Sequence, residues 1–377
     1  MATQIEPAAR DWIEIAEEIA SAIAAEADRH DREESFVEEG FGVLKQAGLF
    51  KALVPVEFGG YGATHGEICR VVRRLGASCG STALAFSMHC HMVSVAAWRW
   101  RHQNAPTEGL LKRVAGEDLV LVSSGGSDWL KSAGTAVRTE SGFLITARKA
   151  FASASPVGDL LMTSAVYDDP EEGLTVLHFA VPLKGPGVTL RNNWQVLGMR
   201  GTGSQEVVLE DVFVPDAAIS GKRPQGKWHP LFHSISMIAF SLIYSAYARV
   251  ADGARAMALA VARGRSPDEG LTQLVGEMEN AWMGMDLALE DMILLAETGN
   301  PGPETTARAM TGRTLVAQGA IRTVERAMEA AGGASFYRAT GLERAFRDVQ
   351  GARFHPLQEK AQLRYAGRLA LGLDIDG

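Results

Sequence analysis

The hydrophobic period of this chain changes twice, and those two changes constrain its fold more than any other feature. From Trp12 to about Gln103, apolar residues recur every three or four positions, as on one face of a helix. Between residues 119 and 215 that period disappears. Six short runs rich in Val, Leu, Thr and Phe (119–124, 134–139, 143–152, 159–167, 174–182 and 205–214) are separated by breaks containing Gly, Pro, Asp or Asn, as expected of short strands joined by turns. From about Trp228 helical spacing returns in 233–263, 267–299, 303–332 and 357–371, interrupted at Gly264, Pro301 and Gly332-Gly333. The expected class is α+β. It comprises an N-terminal helical domain (1–118), a middle antiparallel β domain (119–225) and a C-terminal four-helix bundle (226–377).

Local signals agree with this order. Asp11 and Glu14 form a helix-start pair ahead of the stripe Trp12, Ile15, Ile19, Ile23 and Ala27. The segment 81–103 is apolar nearly all round, which predicts a buried helix. Met278, Met285 and Met292 recur every seventh residue and are expected in the bundle core. The net charge of −8, with no basic run, argues against nucleic acid or an anionic membrane surface as the main partner. The 3 cysteines (Cys69, Cys79, Cys90) cannot build a disulfide framework, and no Cys/His spacing matches a zinc site. The N-terminus has no basic stretch leading into an apolar core, so no signal peptide is expected. The apolar stretches near 83–98 and 235–248 are interrupted by polar residues and are not read as membrane spans. A soluble, cytoplasmic protein is expected.

Motifs narrow the chemistry. There is no P-loop, no G-x-S-x-G elbow and no H-E-x-x-H. The string Gly198-Met199-Arg200-Gly201-Thr202-Gly203 is glycine-rich, but it precedes a strand within the β region and does not join a strand to a helix, so a Rossmann reading fails.

Several strings, taken in order, resemble the acyl-CoA dehydrogenase superfamily of flavoproteins. Val54-Pro55-x-Glu57-x-Gly59-Gly60-x-Gly62 is similar to that family's N-terminal loop, and Ser123-Ser124-Gly125-Gly126-Ser127-Asp128 to its first flavin-facing segment. Lys149-Ala150-Phe151-Ala152-Ser153 is similar to the strand packed on the isoalloxazine ring. Leu197-Gly198-Met199-Arg200-Gly201-Thr202-Gly203-Ser204-Gln205, followed by Asp211-Val212-Phe213-Val214-Pro215, is the most specific match, and Arg347-Asp348 fits the C-terminal domain. The resemblance implies a flavin, FAD by family habit, between the middle domain and the bundle. It implies Phe151 as the ring-stacking residue and Ser153 as the hydroxyl near flavin N5. Ser123, Ser127, Arg200, Gly332 and Gly333 complete the implied cofactor-binding set.

The resemblance also exposes a gap. Acyl-CoA dehydrogenases take the substrate's α-proton with a shielded carboxylate. The register through Arg347-Asp348 puts that position near Pro356, and the family's other glutamate site falls at Phe240. Neither residue can take a proton. Glu359 lies three residues further on, at a helix start. In place of the acid stands Phe354-His355-Pro356, which resembles the two-component flavin monooxygenase branch. That branch keeps a histidine here, often paired with one from the buried N-terminal helix. His89 and His91 are the candidates for such a partner. At i,i+2 they point to different faces, and the alternative for each is a core histidine with satisfied nitrogens.

Two enzymatic readings follow, a reduced-flavin monooxygenase and an acyl-thioester dehydrogenase with a displaced base. A non-catalytic flavin-fold oligomer is the third. The Arg263-Gly264-Arg265-Ser266-Pro267 segment lacks the family's Phe-Gly element, and Glu329 stands where a Gln holds the adenylate, so the resemblance implies FAD by default, with FMN or a loosely bound reduced flavin as the alternative. Gly332-Gly333 could equally be a helix C-cap. The implied partners are a small-molecule substrate (an acyl thioester or an aromatic or other organic compound), a flavin reductase or electron-transfer partner, and a second copy of the chain in a homodimer or homotetramer.

Overall fold

A computed structural model describes residues 10–266 and 268–376, except the side chain of Ser127. The N-terminal part consists of α1 (Trp12–Glu18), α2 (Ala20–Glu33), α3 (Glu38–Gln46), α4 (His65–Leu75), α5 (Gly80–Gln103) and α6 (Glu108–Glu117). Asp11 caps α1, its carboxylate accepting the backbone N–H groups of Ile13 and Glu14 at 3.0 Å each. A full capping box between Thr64 and Glu67 starts α4. As the all-round apolar pattern predicts, α5 runs through the interior with most of its residues buried, His89 and His91 included.

The middle part holds β1 (Leu121–Ser123), a single helical turn α7 (Gly125–Asp128), β2 (Thr135–Arg138), β3 (Gly142–Ala152), β4 (Leu160–Asp169), β5 (Gly173–Pro182), β6 (Val188–Arg191), β7 (Gln205–Pro215) and β8 (Gly221–Pro224). The strands form one sheet in the order β6-β7-β3-β2-β4-β5-β8, with β1 paired to β4. The middle domain is an antiparallel-rich sheet, as expected. The pairings are mostly antiparallel, but β1 and β2 both run parallel to β4. Strand runs and turn residues reveal where strands lie, not which edge each docks on, so this pairing was invisible in the chain. β6, β8, α6 and α7 were not anticipated either; each is short.

The C-terminal part is α8 (Pro230–Arg263), α9 (Glu269–Thr298), α10 (Pro303–Ala331), α11 (Leu342–Val349) and α12 (Glu359–Ala370). Pro230 occupies the first turn of α8, and Asp268 caps α9. Met278, Met285 and Met292 are buried, as their spacing predicts. By length and composition α8 could cross a membrane, but 83% of its apolar window is buried inside the protein, so it is a core helix.

The glycine-rich string is explained by packing. A Cβ on Gly198 would lie 2.2 Å from the carbonyl oxygen of Arg347, and Asp348 accepts the Met199 N–H at 2.5 Å. Glycine is needed because two backbones touch, not because a phosphate approaches.

Candidate active site

The loop from Ser123 to Asp128 is held from beneath by buried charge. Lys149, fully enclosed on β3, donates to the Asp128 carboxylate and to the carbonyl oxygen of Ser164 at 2.6 Å. Asp128 also accepts from Ser124 Oγ, from Thr163 Oγ1 at 2.7 Å and from the Ser164 N–H at 3.1 Å. Burial lowers the Lys149 pKa, and the Asp128 charge opposes that shift. Arg223 donates to the carbonyl oxygens of Leu130 and Trp129, and its Nε to His178 Nε2 at 3.0 Å. The loop and the residues just after it are thus tied to β3, β4 and β8.

Above this support, β3 carries a bulge. Its register against β7 slips between Lys149 and Ala152, and Phe151 takes φ 60°. The bulge turns the Phe151 ring outward, where it is 59% exposed and edge-on to Trp194 at 5.9 Å between centroids. Ser153 Oγ lies 2.7 Å from Ser204 Oγ, which lies 2.8 Å from Thr202 Oγ1. Ser123 Oγ accepts the Gly125 N–H at 3.1 Å. Ser127, also expected to bind cofactor, has its side chain outside the described residues.

The second wall comes from α8, α10 and the segment after α11. Arg313, only 1% exposed, donates from Nε to Tyr244 Oη at 2.7 Å and through its terminal nitrogens to the carbonyl oxygens of Leu357 and Ala352 at 2.8 Å each. Tyr244 Oη donates in turn to the Ala352 carbonyl oxygen at 2.7 Å. These bonds fix the turn that carries His355, whose Nε2 lies 2.8 Å from Tyr247 Oη. Burial, then Arg313 and His91, pushes the His355 pKa down to about 3. His355 is therefore a neutral imidazole at ordinary pH.

The two walls meet through aromatic rings. Trp129, directly after the Asp128 loop, packs on Phe232 at 4.8 Å and Phe240 at 6.4 Å. Phe240 leads to Tyr244 at 6.3 Å, and Tyr244 to His355 at 6.1 Å.

His89 and His91 have different surroundings. His89 Nε2 donates to the Phe50 carbonyl oxygen at 2.7 Å, and its Nδ1 accepts the Leu121 N–H at 3.1 Å. Both nitrogens are occupied by backbone, so His89 joins α5 to β1 as a core residue. His91 makes one long contact, 3.4 Å to the Ser87 carbonyl oxygen. Burial lowers the pKa of His91 to about 4.

Four other expected residues have structural surroundings. Glu359 is exposed on the first turn of α12, outside the enclosed corner. Arg200 donates to the Val196 carbonyl oxygen at 3.0 Å and lies 3.5 Å from Glu34, tying the glycine-rich string to the N-terminal helices. Gly332, with φ 63°, ends α10, and Arg265 covers that end by donating to the Ala330 carbonyl oxygen at 2.9 Å. Gly333 is the second residue of the short helical turn that follows, Gly332–Phe336. Glu329 is paired with Arg326 at 2.5 Å, so its charge is compensated and it is a weaker obstacle to a phosphate than its position in the chain implies.

Tyr244, Tyr247, Arg313 and the Asp128–Lys149 pair were missed as site residues. Two tyrosines at i,i+3 in the most apolar stretch of α8 are the signal that could have found the first two; Arg313 is one of four arginines on α10, and nothing in the sequence sets it apart. The site suits a flavin on two observations: an exposed aromatic ring set on a strained bulge, and the Trp129 Nε1–H, buried beside the loop with no partner among the described residues.

Comparison with known proteins gives the same picture. The models for the acyl-CoA dehydrogenase N-terminal, middle and C-terminal domains match residues 5–105, 123–212 and 237–359. L-evernosamine nitrososynthase of a Micromonospora strain is 27% identical over 393 residues, covering 98% of this chain and 92% of that protein. Isobutylamine N-hydroxylase of Streptomyces viridifaciens is 29% identical over 317 residues, covering 81% of this chain and 82% of that protein. The structure of KijD3 in complex with FMN and dTDP-3-amino-2,3,6-trideoxy-4-keto-3-methyl-D-glucose superposes with a TM-score of 0.87 at 25% identity, covering 99% of this chain and 97% of that one.

Proposed function

This chain belongs to the acyl-CoA dehydrogenase superfamily and is a flavin-dependent oxidoreductase, and from that premise we propose that it acts as a reduced-flavin monooxygenase on a small organic substrate. The observation that carries the reading is the chemistry of the corner at His355. Both positions where a dehydrogenase base is expected hold residues that cannot take a proton, the buried Phe240 and Pro356. Among the described residues, no carboxylate hydrogen-bonds His355, Tyr247 or Arg313. This supports a reading in which a neutral histidine, and no carboxylate base, meets the substrate.

When bound in its reduced form, the flavin supplies two electrons to O2, so that one oxygen atom passes to substrate and the other leaves as water. Phe151 would pack on the isoalloxazine ring and Ser153 would reach its polar edge. His355 and His91 orient the substrate. With no carboxylate to stabilise an ammonium ion, this corner favours an amine as its free base, the form with a nucleophilic lone pair. The relatives that act on amines support primary amines as the first class to screen. The reduced flavin, FMN or FAD, comes from a separate reductase.

The deciding experiment mixes the flavin-loaded protein anaerobically with a panel of acyl-CoAs, then supplies reduced FMN, O2 and a panel of amines. The expected result is no bleaching by any thioester and oxygen-dependent product from at least one amine. Bleaching of the flavin by a thioester would overturn the reading.

A further inference from the structure

Tyr247 is fully enclosed on α8, and its hydroxyl has one hydrogen-bond partner among the described residues, His355 Nε2. The space around the hydroxyl is closed. A Cβ on Gly351 would lie 2.7 Å from Tyr247 Oη, so only glycine lets the turn pass so close. Burial holds the phenol pKa well above its ordinary value, so the hydroxyl keeps its proton. A buried O–H must donate somewhere, and the available acceptor is His355 Nε2. If Nε2 carried the proton instead, the Tyr247 oxygen would have to accept it, and the enclosed phenol O–H would be left without an acceptor among the described residues.

We propose that Tyr247 is a positioning residue that fixes His355 as the Nδ1–H tautomer, so that this histidine works as a hydrogen-bond donor and not as a base. His355 Nδ1 has no partner among the described residues, and the ring is half-buried, so that N–H is the free polar atom of the corner. The groups around it keep the tautomer neutral. Arg313 lies behind the same turn, and its charge, like that of a protonated His91, opposes a proton on the ring. A neutral donor can hold an oxygen or nitrogen atom of the substrate, or an oxygen being transferred, without placing a second charge beside Arg313. A tyrosine three residues earlier supports the same turn differently. The Tyr244 hydroxyl accepts from Arg313 and donates to Ala352, so it has no free proton for His355.

The inference rests on the monooxygenase reading only for what the donor does; the tautomer itself is tested separately. The experiment uses full-length protein labelled with 15N-histidine, with FMN added, and assigns the His355 signal by its loss in His355→Asn. The expected spectrum shows a protonated Nδ1 and an unprotonated Nε2. Tyr247→Phe, which removes the hydroxyl alone, is expected to release the ring into a mixture of tautomers. Activity supplies a second readout. Asn can place an amide N–H where Nδ1–H stands, whereas Gln places it nearer Nε2. His355→Asn is therefore expected to retain at least tenfold more product per reduced flavin than His355→Gln. A protonated Nε2 in the unmodified protein, or a tautomer unchanged in Tyr247→Phe, overturns the proposal. If the tautomer is as expected but no substrate is oxygenated, the function reading fails while the positioning role stands.

Discussion

The carboxylate of Asp348 reaches from α11 to the backbone N–H of Met199, 2.5 Å away, and so binds the C-terminal bundle to the glycine-rich string of the middle sheet. The contact is buried, and burial raises the Asp348 pKa against the pull of Arg344. Arg347, next in the chain, crosses in the other direction to Asp31 at 2.7 Å. One dipeptide thus fastens the bundle to both other parts of the molecule. Because Gly198 lies under this contact, Gly198→Ala is expected to destabilise the protein by about 1–3 kcal/mol through overpacking. Urea unfolding with an unchanged m-value would show it.

Lys149→Met should be more damaging than its conservative volume suggests. It leaves the Asp128 carboxylate buried without its cation, and breaking such a pair costs about 3–5 kcal/mol. Since Asp128 also holds Ser124 and Thr163, the flavin loop is expected to loosen as well. Flavin affinity, followed by fluorescence quenching, should fall together with the melting temperature.

Phe151→Ala tests the flavin face more locally. The ring is exposed and supports no core, so stability should change little. Loss of an aromatic stacking partner contributes about 0.5–1.5 kcal/mol, so flavin binding is expected to weaken several-fold, up to about tenfold. A variant that binds FMN as tightly as the unmodified protein would remove Phe151 from the site.

Acid should unfold this protein earlier than its carboxylates alone predict. Burial holds His65, His89, His91 and His178 at about 4 and His355 at about 3, against an ordinary value of 6.5. With folded values below unfolded ones, the unfolded chain binds more protons, so stability is fully present above about pH 6.5 and is lost as pH falls towards about 4. Urea titrations at pH 7.5, 6.5 and 5.5 should show this slope. His65→Gln, which replaces a ring bridging Ser94 and Ser241, should flatten it.

Self-association is expected through α9 and α10. Met283, Leu287 and Leu294 form an exposed apolar stripe on α9, close to Leu315 of α10, the only exposed large apolar residue described on that helix. Apolar area of this kind is usually covered. Light scattering should find a dimer or tetramer, and Leu287→Asp should shift it towards the monomer. A monomeric unmodified protein would contradict the expectation.

Much of the architecture was legible from local pattern. Met278, Met285 and Met292 announced a buried helix face because helical period is a property of consecutive residues. The all-round apolar run of α5 announced burial for the same reason. His89 and His91 show where such reasoning stops. Two residues apart on one helix, they cannot share a face, but periodicity does not say which face meets which neighbour. Only the approach of Phe50 and Leu121, distant in the chain, occupies both nitrogens of His89, while His91 keeps a long contact within its own helix. The parallel pairing of β1 and β2 with β4 was hidden in the same way.

By itself, the sequence determined the order of helices, sheet and helices, the strings that mark a flavoprotein, and the lack of a carboxylate at Phe240 and Pro356. These are local facts, set by residue type and spacing. Tertiary structure decided the rest. It placed an enclosed Lys149 under Asp128, turned Phe151 outward on a bulge, and brought Tyr247, Arg313 and His355 from three separate segments into one corner. The physical reason is that burial, hydrogen-bond satisfaction and histidine tautomer depend on groups far apart in the chain. They acquire values only when packing excludes water and leaves each polar atom one partner.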